Sequence, residues 1–149
     1  MKQSAMSRPI EILLVEDNVG DVVLTREAFK ESKLHNKLNV VQDGEEALDY
    51  LYKRSGFENV NTPDIILLDL NIPKMDGTEV LAKIKEDEDL KRIPTAILTS
   101  SKAEQDIVKS YDLHANSYVL KPVDMATFKE VAKAIENFWF AVVLLPPHE

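Results

Sequence analysis

The sequence predicts an α/β domain: five strand–helix units in succession, with the strands in one parallel sheet. Five short apolar runs recur along the chain, and helical apolar patterns fill the gaps between them. Regular alternation of this kind belongs to parallel sheets joined by right-handed crossovers. Three of the runs are near-continuous rather than alternating, as in strands covered by helices on both faces. The size agrees. At 149 residues, with 44% hydrophobic and 30% charged residues, the chain suits one globular domain and excludes a wholly disordered, collagenous or coiled-coil reading.

The first expected strand is Ile10-Glu11-Ile12-Leu13-Leu14-Val15. Residues 1–9 before it read as a flexible tail. Gly20–Ser32 follows as a helix, with Val22, Val23, Ala28 and Phe29 on its apolar stripe. Leu38–Val41 is the second strand. Asp43-Gly44-Glu45-Glu46 has the shape of a capping box ahead of Ala47, Leu48 and Leu51. Ser55–Pro63 is the longest expected loop. Asp64–Asp69 is the third strand, and Thr78–Glu86 the third helix, presenting Val80, Leu81 and Ile84. Thr95–Thr99 is the fourth strand. A second capping box, Ser101-Lys102-Ala103-Glu104, opens the fourth helix, with Ile107, Val108 and Tyr111. Ser117–Leu120 is the fifth strand. Asp124 caps the last helix, which runs through Met125, Phe128, Val131, Ile135, Phe138 and Val142. Residues 10–149 thus read as one domain with a C-terminal helical extension and no separate output domain.

Composition excludes whole classes of chemistry. There is no cysteine, so disulfides, thiolate catalysis and cysteine-held metal are out. The net charge of −8 disfavours a nucleic-acid backbone as partner. No apolar run is long enough to span a membrane, and the N-terminus lacks the apolar stretch of a signal peptide, so a cytoplasmic location is expected. His35, His114 and His148 show no metal-ligand spacing and read as surface residues.

In open α/β sheets, ligands collect at the carboxyl ends of the strands. Glu16-Asp17 follows the first strand, Asp69 closes the third, Thr99-Ser100 ends the fourth and Lys121-Pro122 follows the fifth. If the first and third strands are neighbours, three carboxylates meet at one edge. Like charges ~5 Å apart repel by roughly 3 kcal/mol at an effective dielectric of 20. A raised pKa, a lysine or a hard divalent cation would relieve this. Glu16, Asp17, Asp69 and the Asn71 backbone carbonyl form an all-oxygen set that suits Mg²⁺, with Mn²⁺ as a substitute. A carboxylate beside such a cation and Lys121 is equipped to attack phosphorus, with the Thr99 hydroxyl donating to a phosphoryl oxygen. Taken singly, each feature has a plainer reading. Glu16-Asp17 reads as a helix cap, Lys121-Pro122 as a turn and Thr99 as a strand-end hydroxyl. Their joint placement carries the reading.

The motifs ILLVEDN (Ile12–Asn18), IILLDLNIPKMDG (Ile65–Gly77), PTAILTSS (Pro94–Ser101) and SYVLKPVD (Ser117–Asp124) resemble those of response-regulator receiver domains of two-component signalling. The resemblance covers roughly Ile10 to Phe140. It implies a flavodoxin-like, doubly wound five-stranded sheet of order 2-1-3-4-5. It implies that Asp69 is the phospho-acceptor, that Glu16 and Asp17 hold Mg²⁺, and that Asn71 gives the metal its carbonyl. Thr99 matches the family's switch hydroxyl, Tyr118 its switch aromatic and Lys121 its lysine. Glu16 stands where an Asp is commoner. The partner implied is a histidine kinase.

Three features look like the small stand-alone regulators of bacterial phytochrome kinases: the stretch Asp112–Pro122, the long Ser55–Pro63 loop, and the tail Asn137–Pro147. Trp139, Phe140 and Val143 fall partly outside the last helix's apolar stripe. They point to a homodimer through the face formed by the fourth helix, fifth strand and fifth helix. A tail folded back over its own domain is the alternative. Two other functions compete. A haloacid-dehalogenase-like phosphatase needs an acid two residues after its nucleophile, where this chain has Asn71. A phosphorylation-independent adaptor would use only the surface, and the intact site residues argue against it.

Overall fold

A computed structural model describes residues 9–31, 35–99, 117–120, 126, 129–130 and 132–134; for 117–120 it describes the backbone. Its strands are β1 (Ile10–Val15), β2 (Asn36–Val41), β3 (Ile65–Asp69), β4 (Thr95–Thr99) and β5 (Ser117–Leu120). Its helices are α1 (Val19–Lys30), α2 (Gly44–Leu51) and α3 (Gly77–Glu86), with a 3₁₀ turn at Leu90–Arg92. All neighbouring strands pair in parallel, in the order β2-β1-β3-β4-β5. The expected order is met. The fourth helix, the tail beyond Ile135, residues 1–8 and Lys121 lie outside the described residues.

Every residue of β1, β3 and β4 is buried. Successive side chains point to opposite faces of the sheet, so each strand feeds two cores. Leu13, Val15, Ile66, Leu68 and Ile97 face one, with Ala47, Leu48 and Leu51 of α2 and Val80, Leu81 and Ile84 of α3. Ile10, Ile12, Leu14, Ile65, Leu67 and Leu98 face the other, with Phe29 of α1 and Ala132. Helices therefore cover both faces, and the near-continuous apolar runs are explained. At the edge, β2 is only partly buried, and Leu38 and Val40 pack against the second core from its margin. It starts at Asn36, two residues before its apolar run. Asn36 Nδ2 donates to the Phe29 carbonyl near the end of α1 at 2.9 Å, so a polar residue ties the strand's start to that helix.

The helix ends follow their side chains. Asn18 accepts from the Asp21 N–H at 2.9 Å and caps α1. Asp43 accepts from the Glu46 N–H at 2.8 Å and caps α2; the Glu46 carboxylate reaches back to the Gln42 N–H at 2.8 Å, one residue earlier than in the usual box. Asp76 caps α3 through the Thr78 N–H. One expectation for α1 fails. Val23 is 53% exposed, whereas Thr25 is buried. Val23 lies about 100° round the helix from Val22, on the side away from Thr25 and Ala28. Thr25 is tolerated inside because its hydroxyl donates to the Asp21 carbonyl at 2.7 Å.

A polar anchor sits within β1, toward its start. Glu11 is buried, and its carboxylate accepts from Asn39 Nδ2 at 3.1 Å and from Asn61 Nδ2 at 3.2 Å. Its N–H donates to Asp64 Oδ2 at 2.8 Å. The long loop before β3 is thereby tied to β1. Burial, and then the Glu11 charge, hold the Tyr50 phenol above its ordinary value of 10.0. The folded state keeps this proton where the unfolded chain has released it. The contribution is whole below the unfolded value and is lost as pH rises through the raised one. Urea denaturation from about pH 9 to about pH 12 should show an alkaline decline in stability that becomes shallower in Tyr50→Phe.

Candidate functional site

The strand order reverses direction at β1, which lies between β2 and β3. Ligand crevices open at the carboxyl ends of the strands flanking such a reversal. Val15 pairs with Leu68, so the residues after each, Glu16 and Asp69, lie at the same level of the sheet. Glu16 is fully buried and Asp69 is 1% exposed, while Asp17 is exposed. Each of the three offers a carboxylate oxygen, and these oxygens lie within 4.8 Å of one another. The cluster is thus buried on two sides and open to solvent on the third.

The plainer reading of Glu16-Asp17 as a helix cap is answered by Asn18, which performs that role. Glu16 Oε2 accepts from the Asn18 N–H at 3.2 Å, and the Glu16 N–H donates to the Val41 carbonyl. Asp69 Oδ1 accepts from the Asn71 N–H at 3.0 Å. These bonds aim the carboxylates; like charges at such separations repel by roughly 3 kcal/mol at an effective dielectric of about 20, less where solvent screens the exposed Asp17. Three carboxylates and a nearby main-chain carbonyl are hard oxygen donors. They fit a small divalent cation that keeps water on its open side.

Thr99 ends β4 one residue beyond Leu98, which pairs with Asp69. It is 1% exposed. Asn71 is exposed in the loop after β3. Leu120 pairs with Thr99, so the chain leaves β5 toward Lys121 at the same sheet edge. Lys121 itself and the side chain of Tyr118 lie outside the described residues; the Tyr118 backbone pairs opposite Ile97. Glu16, Asp17 and Asp69 are therefore brought together as expected, with Asn71 bonded to Asp69 and Thr99 one strand away.

Residues that shape the loop after Asp69 were not singled out from the sequence. Gly77 opens α3, and its N–H donates to the Leu70 carbonyl at 3.2 Å. A β-carbon there would stand 2.5 Å from Leu70 Cα and 2.7 Å from the Asp69 carbonyl oxygen. Only glycine lets α3 begin this close to the end of β3. An Asp-Gly pair ahead of an apolar helical stripe was the available signal.

Residues 12–133 match the model of the response regulator receiver domain. The chain belongs to that family. Response regulator Rcp1 of Synechocystis sp. (strain ATCC 27184 / PCC 6803 / Kazusa) is 44% identical over 138 residues, 93% of this chain and 94% of that one. The crystal structure of the phosphorylated cyanobacterial phytochrome response regulator RcpA superposes with a TM-score of 0.80 at 45% identity, covering 94% of this chain and all of that one. The Mn²⁺-bound form of Rcp1 gives 0.79 at 44% identity, covering 93% and 100%. The receiver fold, the divalent-cation chemistry of the acidic cluster and the place of the chain in response-regulator signalling agree with the reading from sequence. The phosphatase reading is set aside by the family. Among the described residues no helix is long and apolar enough to cross a membrane.

Cation binding to the receiver should be visible as stability. Mg²⁺ at about 100 times its Kd should raise the thermal midpoint by about 5–10 °C, through linkage to the folded state. Asp17→Asn should remove most of that rise in a calorimetric scan with and without EDTA.

Proposed function

We propose that this receiver accepts a phosphoryl group on Asp69 from a histidine kinase of the phytochrome type, in a Mg²⁺-dependent step. The observation that carries the reading is the buried Asp69 carboxylate within 4.8 Å of the Glu16 and Asp17 carboxylates at the strand-order reversal. The phytochrome pairing is supported by the similarity to RcpA, a phytochrome response regulator.

Glu16, Asp17, Asp69 and the Asn71 carbonyl would hold the cation. When bound, it supplies positive charge against the oxygens of the transferring group. An Asp69 carboxylate oxygen forms the new bond to phosphorus as the phosphorus–nitrogen bond of the kinase's phosphohistidine breaks. The departing imidazole keeps that electron pair. Burial of Asp69 and Glu16 limits water at the reacting carboxylate. Thr99, at the end of β4, donates its hydroxyl to a phosphoryl oxygen, and Lys121 neutralises charge on the same group. Thr99 moving toward the phosphoryl group and Tyr118 turning inward bias the surface around β5 as a two-state shift. The acceptor acts on itself, so the protein is a switch and not an enzyme that turns over a substrate.

In this reading residues 10–149 form one receiver domain with a helical extension, acting in the cytoplasm. A homodimer forms through the β5 face and the apolar extension containing Phe138, Trp139, Phe140 and Val143. Output passes through protein contacts.

Acetyl phosphate tests the chemistry without the kinase. With Mg²⁺, intact mass should rise by about 80 Da, the mass of one phosphoryl group. Asp69→Asn and EDTA should each abolish the gain. A folded wild-type protein that gains no mass from either acetyl phosphate or a phytochrome kinase would overturn the assignment.

A further inference from the structure

The loop that carries Asn71, residues 70–76, adopts a conformation its own sequence disfavours. Lys74 has φ of 70°, the left-handed region in which a β-carbon is crowded. The Met75 N–H closes back on the Pro73 carbonyl at 2.8 Å, which makes residues 73–75 the strained form of γ-turn. Such geometry persists only where surrounding structure holds it.

The holding contacts come from the start of α2. The Gly44 N–H donates to the same Pro73 carbonyl at 3.3 Å. Gly44 is the first residue of that helix, so its N–H has no acceptor within the helix. Lys74 Nζ lies 3.6 Å from Asp43 Oδ2, on the residue that caps α2. A β-carbon on Gly44 would stand 2.6 Å from Met75 Cβ and 2.7 Å from the Met75 carbonyl oxygen. Two successive residues of α2's start thus grip three successive residues of the loop.

We propose that Asp43 and Gly44 are positioning residues for the cation site: they set the loop after β3, and through it the main-chain carbonyl of Asn71. The inference rests on the reading of Glu16, Asp17, Asp69 and Asn71 as the donors. A tilt of the loop is felt twice, because the Asn71 N–H also bonds Asp69 Oδ1. Gly44→Ala drives a methyl group into Met75 and shifts both donors, although it alters neither.

Mn²⁺ alone is the probe, with the free ion followed by electron paramagnetic resonance on the metal-free full chain. Thermal melts in EDTA report folding separately. Asp17→Asn should weaken binding, which tests the donor reading by itself. Gly44→Ala should weaken it about 10- to 100-fold, as loss of supporting contacts around a metal does, while still melting cooperatively in EDTA. Asp43→Asn keeps a good helix cap but loses the charge that Lys74 faces. It should weaken binding about twofold more than Glu45→Gln, which removes an exposed charge from the same helix turn without touching the loop. If Asp17→Asn binds Mn²⁺ as wild type does, the donor reading falls and this inference with it. If Asp17→Asn is weakened and a folded Gly44→Ala binds normally, the positioning role alone is overturned. Should Gly44→Ala fail to melt cooperatively, equal affinities for Asp43→Asn and Glu45→Gln overturn it.

Discussion

Repulsion among three carboxylates at one sheet edge is the constraint on which this structure turns. Glu16 and Asp69 have almost no access to water, and the exposed Asp17 brings a third carboxylate beside them. Left to itself, such a group would move apart. The fold prevents movement. Asp69 ends β3 and Glu16 directly follows β1, strands whose every residue is buried, and close packing transmits little give. Carboxylates held together in this way suit a divalent cation. The cores therefore do more than stabilise the domain. They hold the three carboxylates together at one edge of the sheet.

Much of this was legible in the sequence, for a physical reason. Strands buried on both faces must be apolar nearly throughout, so β1, β3 and β4 announce themselves, and the residues at and just past their carboxyl ends mark the site. α1 was less legible. Its inward face includes Thr25, which satisfies its own hydroxyl against the Asp21 carbonyl, while Val19 and Val23 face solvent. Apolar counting misplaces such a helix by part of a turn. β2 begins on polar residues because Asn36 is fastened to α1, a bond with no periodic signature. The buried Glu11 was also hidden, since a charge amid an apolar run carries no mark of the two asparagines that meet it. Asn39 and Asn61 lie far from it in sequence.

The loop beyond Asp69 shows the limit most clearly. Its composition, Asn-Ile-Pro-Lys-Met-Asp, reads as an ordinary turn ahead of a helix. Nothing in it says that Lys74, rather than a glycine, takes the left-handed conformation. That choice becomes intelligible only with α2 in place, some thirty residues earlier in the chain. Glycines at 44 and 77 serve the same end from two directions. One lets α2 close on the loop and the other lets α3 start against the end of β3. Local sequence sets the strands, whereas the loop after β3 is held by contacts between elements.

The two-core alternation along β1 has one more consequence. Leu13 and Val15 face α2 and α3, and Ile12 and Leu14 face α1. Side-chain direction in a strand has a period of two, so parity works as an address. A one-residue insertion or deletion within this strand would not erode the cluster by degrees. It would exchange the two cores' side chains and trade the inward carboxylate for the outward one. The interior of this strand can thus change by substitution but not by a single-residue change in length.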